Sequence, residues 1–425
     1  MNAYSTAWDA PAQPGIVLDG CAGPGGWSEG IRRHLGLHDV GLEWDEAACK
    51  TRAAAGHLTI RVDVSAFVLT PLLGRVWGLL FSPPCTLFSE AGTQIGRLML
   101  DILADGIRRL MRGEDCRAEM RERVYTVALA AQEKRNAKRA SDKRWGGERV
   151  EAQAREDAFI ACLVLEPARY LHALITALDP QVSLEWAALE QVPSVLPLWQ
   201  VYAEELRRLG WSVWAGILNA ADYGVGQSRR RAVLIASAVR RVHAPDTTHA
   251  ENGGGEDLFG GFLAPWRTMA ETIGWGATDR PAPTVTAGGT KAGGAEPFPT
   301  NARKILTDAQ ERGAWVLHTN RDQRPDGTRQ TVNPYTRPAP TLTSKSGGQW
   351  QLRKAGAPVA DSIRINVAEA GLLQSFPEDY PWQGGKNKGH EQAGNAVPPL
   401  LAAHIVSAAT GLAMPAADPA LDAAA

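Results

Sequence analysis

Of the five cysteines in the chain, one stands apart by its setting. Cys85 ends the run Leu79-Leu80-Phe81-Ser82-Pro83-Pro84, a short apolar stretch stopped by two prolines. Such a run reads as the end of a buried strand. A thiol there is either a nucleophile or a small buried side chain. As a nucleophile it must react as the thiolate. A free thiol ionises near pH ~8.5, so the site has to lower that value or remove the proton on attack. A second reactive group, Glu190, follows another apolar run in Ala188-Leu189-Glu190-Gln191-Val192. Glu185 competes with it, but a five-residue offset on a strand points to the other face. In Gln227-Ser228-Arg229-Arg230-Arg231 alternate residues share a face if the segment is extended. The bland reading of that segment is a solvated charge run before a strand.

A pocket for a nucleoside-like ligand is legible upstream. Asp19-Gly20-Cys21-Ala22-Gly23-Pro24-Gly25-Gly26 follows a strand pattern and opens a helix. Glycines at such a turn let a ligand approach the backbone and the helix N-terminus. Glu43 ends the next strand pattern and suits a ribose diol. Asp63 ends the third and could accept from an adenine amino group. Asp19 would repel a pyrophosphate. The acidic rim therefore fits the cationic S-adenosylmethionine better than NAD.

The elements that position these groups alternate strand and helix. Residues 15–19, 39–43, 58–63 and 76–82 read as strands, with amphipathic segments between the first three. The pattern resumes with strands at 182–189, 211–219 and 231–237 and a helix near 197–209. Alternation of this kind implies an α/β fold with a mostly parallel sheet. An insertion rich in Arg, Lys, Glu and Ala separates the halves at about 93–158, its Ile95, Leu98, Ile102, Ile107, Leu110 and Met111 near helical spacing. We expect a catalytic domain over 1–244, a loop-rich unit over 245–345, a helical segment over 346–412 that returns to the catalytic domain, and a disordered Ala/Pro-rich tail over 413–425. An internal echo, 279–289 and 336–348, lies in the loop-rich unit. Net charge is −1 and charged residues make up 21%, so any basic surface must be local. The cysteines show no metal-binding or disulfide spacing, no metal is expected, and the N-terminus has no signal-like pattern. No apolar run approaches the ~18–20 residues of a membrane span. A cytoplasmic monomer is the expectation.

Taken in order, seven segments resemble the DNA cytosine-5 methyltransferase family. They are residues 18–26, 42–48, Ser82-Pro83-Pro84-Cys85, 189–195, 219–231, 337–344 and 372–399. The resemblance implies a Rossmann-like methyltransferase domain with a smaller target-recognition domain. It implies that Asp19, Cys21, Gly23, Gly25, Gly26, Glu43, Trp44, Asp63, Val64, Pro84, Asn395 and Val397 surround S-adenosylmethionine. Cys21 stands where the family often has Phe. The resemblance implies Cys85 as the nucleophile that adds to C6 of cytosine, with Glu190 at N3, Arg231 at the base and Arg229 in support. Enzymes that methylate exocyclic amines carry an aromatic after Ser-Pro-Pro, so the thiol here moves the target atom to C5. The family usually has Glu-Asn-Val where this chain has Glu190-Gln191-Val192.

The implied partner is double-stranded DNA whose target base is flipped out. A cognate restriction endonuclease encoded elsewhere is a further implied partner. Gln227, Lys345, Lys291, Arg303, Arg321, Arg324 and Arg329 are candidate DNA contacts. Lys134, Arg135, Lys138 and Arg139 belong to a basic run at 133–149, either a solvated helical face or an arm on the DNA backbone. An RNA cytosine-5 methyltransferase and a non-catalytic DNA-binding member remain alternatives. A Rossmann oxidoreductase would account for residues 14–63 only.

Overall fold

The computed structural model describes residues 13–89, 93–253, 255–256, 262–273, 315–323, 329–342, 351–354 and 365–414. Its frame is a seven-stranded sheet in the order β3-β2-β1-β4-β5-β7-β6. The strands are β1 (Ile16–Gly20), β2 (Asp39–Glu43), β3 (Leu58–Arg61), β4 (Val76–Phe81), β5 (Trp186–Gln191), β6 (Ser212–Asn219) and β7 (Arg230–Ser237). Strands β1 to β5 pair in parallel, and β7 runs antiparallel to both β5 and β6. The central strands β4 and β5 are buried at every position. Their apolar residues, unbroken in β4 and over residues 186–189 of β5, reflect helices on both faces.

One face, with Val17, Leu80, Ala188 and Val233, packs against α1 (Gly26–Leu35) and the final helix α11 (Pro399–Thr410). The other, with Leu18, Leu79, Leu189 and Leu234, lies under α3 (Leu100–Met111), α6 (Glu166–Ile175) and α7 (Leu196–Arg208). Helix α2 (Glu46–Ala54) connects β2 to β3, capped by Asp45, which accepts from the Ala48 N–H at 2.9 Å. Two glycines of α1 exist for packing: a Cβ on Gly26 would lie 2.1 Å from the Val397 carbonyl, and one on Gly30 2.1 Å from that of Pro399.

The insertion is helical, as its spacing implies. Beyond α3 it forms an antiparallel pair, α4 (Arg117–Ala137) and α5 (Gly147–Cys162), joined by a connection that includes a short 3-10 turn at Ser141–Lys143. Ile95, Ile107, Leu110 and Met111 enter the core, whereas Leu98 faces outward. Residues Gly147–Ile175 form one helical run of 29 residues, long and apolar enough to cross a membrane, contrary to the sequence expectation. Two-thirds (67%) of its most apolar stretch is buried inside the protein, so the apolar character belongs to a core helix.

The loop-rich unit contains more strand than expected. Trp315–Gln323 pairs antiparallel with Arg329–Val332 and with Gln351–Lys354, so its sheet crosses the boundary expected at 345. After α8 (Met269–Thr272), the C-terminal helices α9 (Val367–Leu373), α10 (Lys386–Asn395) and α11 follow in the expected region. Met269, Ala339 and Leu342 share a small core with Leu373 and Ala393. The first echo segment (279–289), residues 343–348 of the second, and 415–425 of the expected tail lie outside the described residues.

Candidate active site

The end of β4 and the Pro-Pro turn deliver Cys85 to the carboxyl edge of the sheet. Its carbonyl accepts from the Phe88 and Ser89 N–H groups, both at 3.0 Å, so the cysteine heads a turn that curls back into the core through Leu87 and Phe88. Gln191 holds the approach to it. Its side chain is buried, donates to the Pro83 carbonyl at 2.7 Å and accepts from the Val192 N–H at 2.6 Å. The Gln for Asn difference therefore does not leave the turn unsupported.

Glu190 arrives beside Cys85 because β5 is the parallel neighbour of β4, with Phe81 opposite Leu189. Arg231 arrives for a different reason. It lies at the start of β7, and only an antiparallel β7 puts its first residues at the edge where β4 and β5 end. Arg231 Nε stands 2.8 Å from Glu190 Oε1, and both side chains are less than a tenth exposed. Burial pushes the Cys85 thiol up from its ordinary pKa. The positive charges of Arg231 and Arg229 pull it back, and Glu190 adds to the rise. The three groups thus act on one another electrostatically in a half-buried pocket.

Arg229 and Gln227 have different work. Gln227 is fully buried, accepts from the Leu342 N–H at 2.8 Å and donates to the Leu373 carbonyl at 3.3 Å. It cannot reach DNA from there, which corrects its assignment as a DNA contact. Arg229 Nη1 donates to the carbonyls of Gly394 at 2.9 Å and Leu342 at 3.2 Å. The Ala339 carbonyl accepts from the Ser228 N–H and the Ala339 N–H donates to the Gly226 carbonyl, so residues 226–229 bracket three distant parts of the chain. Arg229 is therefore a positioning residue whose charge also bears on Cys85. Glu185 accepts from Trp77 Nε1 at 2.8 Å, a structural task away from Cys85.

The nucleoside pocket forms at the ends of β1, β2 and β3. Cys21 and Gly23 take positive φ, 59° and 55°, to turn the chain after β1. Glu43 Oε2 accepts from the Gly23 N–H at 2.7 Å, and Oε1 from the N–H groups of Trp44 (2.8 Å) and Asp45 (2.7 Å). A carboxylate offers about four acceptor sites, so Glu43 shapes the turn and keeps room for a hydroxyl. Trp44, Asp45, Arg61, Val62 and Asp63 line an open cleft of about 490 Å³. Asp63 also accepts from the Ser65 N–H at 2.8 Å. Space is open beside Gly23, where a Cβ would meet nothing within 4 Å.

Asp19 is fully buried, and neither of its carboxylate oxygens has a hydrogen-bond partner among the described residues. Burial, with repulsion from Asp39, pushes its pKa well up against the opposing pull of Arg52, 3.9 Å away. An orphan acceptor, an open glycine turn and an aromatic-walled cleft fit an adenosyl ligand with a positive charge.

Several other residues expected at the pocket also make packing or backbone contacts. Gly25 starts α1 in a left-handed conformation (φ 101°), and Gly26 and Val397 meet each other. The Val64 carbonyl is taken by Arg169 at 2.7 Å and Tyr170 at 2.9 Å. Pro84 is half-buried before Cys85, and Asn395 is exposed at the end of α10. Sequence reasoning missed Phe159. It comes from the insertion, and its ring centroid lies 6.4 Å from that of Trp44.

Glu43→Ala is expected to weaken S-adenosylmethionine binding tenfold or more. A hydrogen bond to a charged group is worth about 1.5–3 kcal/mol, and tenfold corresponds to about 1.4 kcal/mol. Calorimetry measures it directly; unchanged cofactor affinity would remove Glu43 from the pocket.

Comparison with known proteins agrees with this arrangement. Residues 195–410, just over half of the chain, match the model of the C-5 cytosine-specific DNA methylase family. The matched span includes Arg229 and Arg231, whereas Cys85 and Glu190 stand on the sheet-edge geometry. The chain is 27% identical over 216 residues to the Type II methyltransferase M1.HphI of Haemophilus parahaemolyticus, covering 48% of this chain and 50% of that protein. It is 27% identical over 271 residues to DNA (cytosine-5)-methyltransferase 4 of Arabidopsis thaliana, covering 48% of this chain and 17% of that protein. The chain spans about half the length, or less, of these two curated relatives. The S. pombe Dnmt2 methyltransferase shares the fold, with a TM-score of 0.51 at 12% identity, covering 93% of this chain and 98% of that one. By its matched half, and with the cysteine, glutamate and arginine its sheet gathers at one edge, the chain belongs to the C-5 cytosine-specific DNA methylase family.

Proposed function

We propose that the protein transfers a methyl group from S-adenosylmethionine to C5 of a flipped-out cytosine in duplex DNA. The observation that carries this reading is the meeting of Cys85, Glu190 and Arg231 at the sheet edge on which the nucleoside cleft also lies. C5 of cytosine is a poor nucleophile. Addition of the Cys85 thiolate to C6 turns the ring into an enamine with electron density at C5. The addition builds charge on the ring at N3, where Glu190, ionised beside Arg231 until it takes the proton that the Cys85 thiol gives up, passes that proton to the ring. Arg231 keeps that carboxyl group in place through the 2.8 Å ion pair and lowers the cost of forming the thiolate. The cofactor, when bound, supplies an electrophilic methyl group on a sulfonium. Loss of the C5 proton to solvent, with the N3 proton returned to Glu190, then lets Cys85 leave as the thiolate and restores the aromatic ring.

Asp19, Gly23, Glu43, Trp44 and Asp63 would hold the cofactor, with Glu43 toward the ribose and Asp63 toward the adenine amino group. C6 is hidden within a base stack, so the target base must leave the duplex, at a cost of a few kcal/mol. The loop-rich unit supplies sequence recognition in this reading. Arg321 and Arg329 lie on its strands, while Lys291, Arg303, Arg324 and Lys345 lie outside the described residues. The Type II names of relatives support a cognate restriction endonuclease as the functional partner.

Incubation with methyl-labelled S-adenosylmethionine and either duplex DNA or transfer RNA tests the reading. We expect label in DNA, recovered as 5-methylcytosine on digestion. Label in RNA alone would establish the RNA alternative, and label in neither would leave a binding protein.

A further inference from the structure

The insertion divides into two electrostatic halves. Near its root four arginines are neutralised by carboxylates of the protein. Arg109 pairs with Glu119 at 2.7 Å, Arg112 with Glu205 at 2.9 Å, Arg117 with Asp115 at 2.8 Å, and Arg123 with Asp105 at 2.6 Å. At the tip the pattern stops. Lys134, Arg135, Lys138, Arg139, Arg144 and Arg149 form no ion pair among the described residues, although Glu133, Asp142 and Glu148 are close in sequence. The C-terminal dipole of α4 favours Lys134 and Arg135 in its last turn. It gives no reason for the cations beyond the helix.

The turn that carries these charges is built. Asn136 Nδ2 donates to the Trp145 carbonyl at 2.9 Å, and the Trp145 N–H donates back to Asn136 Oδ1 at 2.8 Å. The guanidinium groups of Arg139 and Arg149 lie 3.8 Å and 4.4 Å from the Trp145 ring centroid. Arg144 donates to the carbonyls of Arg139 at 3.3 Å and Ala137 at 3.2 Å. Cations held together without counter-charges repel one another, and a polyanion relieves that repulsion.

The hairpin starts at the productive edge of the sheet. Arg117 Nη1 donates to the Ser65 carbonyl at 2.8 Å, just beyond the end of β3. Helix α4 has 21 residues, so it carries the tip about 30 Å from that root. That distance is about nine base-pair steps at 3.4 Å each.

We propose that the Asn136–Trp145 turn is a clamp for the phosphate backbone of duplex DNA flanking the target base pair. The proposal rests on the duplex-DNA reading of the function. Contacts of this type add affinity without sequence information and release counterions.

The test is salt-dependent binding of the full chain to duplexes of different lengths. It compares the wild type with a variant carrying Lys134→Gln, Arg135→Gln, Lys138→Gln and Arg139→Gln. The variant should bind all duplex sequences more weakly by a similar factor. The slope of log K against log salt should fall by about 0.9 for each lost contact, up to about 3.6. Trimming the flanks should weaken the wild type and leave the variant's affinity nearly unchanged. Cofactor affinity, measured in parallel, should be equal in the two proteins, which shows that the variant is folded.

A wild type that binds duplex DNA with a slope equal to the variant's would overturn the clamp and leave the function standing. A wild type that binds RNA but not duplex DNA would overturn both. A variant that methylates a different DNA site would place the turn in base recognition and overturn the backbone assignment.

Discussion

Cys85→Ser is expected to abolish methyl transfer, by about 10⁴-fold or more on the scale seen when a covalent nucleophile is removed. An alcohol is far less acidic than a thiol, so little of it exists as the attacking anion. The substitution removes no packing of consequence, since the side chain is half-buried and the turn is held by the Cys85 carbonyl and by Gln191. Cofactor and DNA binding should persist. DNA containing 5-fluorocytosine should trap the wild type covalently, because the fluorine at C5 cannot leave as a proton does. The serine variant should form no such adduct. Normal turnover by that variant would assign the nucleophile elsewhere.

The rate should also rise with pH through the thiol ionisation. Burial raises the Cys85 pKa, so the thiolate is the minor form at neutral pH. The rise should therefore extend above the range of an ordinary cysteine. Removing the Arg231 charge should move it further up, because that charge is the strongest of the influences that favour the thiolate.

The second large effect is expected at the buried ion pair. Arg231→Ala should lower the rate by about 10²–10³, the scale for losing one oriented electrostatic group. It should also destabilise the fold. Breaking a buried pair from one side costs about 3–5 kcal/mol because it strands the other charge. Glu190 is that stranded group, with Arg231 Nε 2.8 Å from its Oε1. The double variant Arg231→Ala, Glu190→Gln leaves no stranded charge. It should regain most of the stability and none of the activity, which separates the structural cost from the chemical one. Denaturant unfolding and initial rates on the four proteins of the cycle measure both. Additive stability losses would mean that the two side chains do not form a pair in solution.

Part of this protein is determined by its local sequence. Val76–Phe81 is apolar throughout, and the runs 16–18 and 186–189 are apolar up to the polar residues at the sheet edge, the pattern of strands buried on both faces. Because parallel strands all end at one edge, the strand-end residues Glu43, Asp63 and Cys85 could be placed at a common edge from the strand pattern alone. The helical nature of the insertion was legible for the same kind of reason, from a period of 3.6.

The rest needed the tertiary structure. Apolar patterning reports that a strand is buried and says nothing of its direction. Had β7 run parallel, Arg231 would sit at the opposite edge, about 23 Å away over its eight residues. Gln227 looked like a surface residue in a run of charges. Its partners, Leu342 and Leu373, are 115 and 146 positions along the chain, and Arg229 reaches Gly394 across 165. Bonds of that span leave no local period to read. The same holds for Phe159, which meets Trp44 only because the insertion folds back onto the cofactor edge. Local sequence determined which groups stand at strand ends; the reversal of one strand and a few long-range hydrogen bonds decided which of them meet.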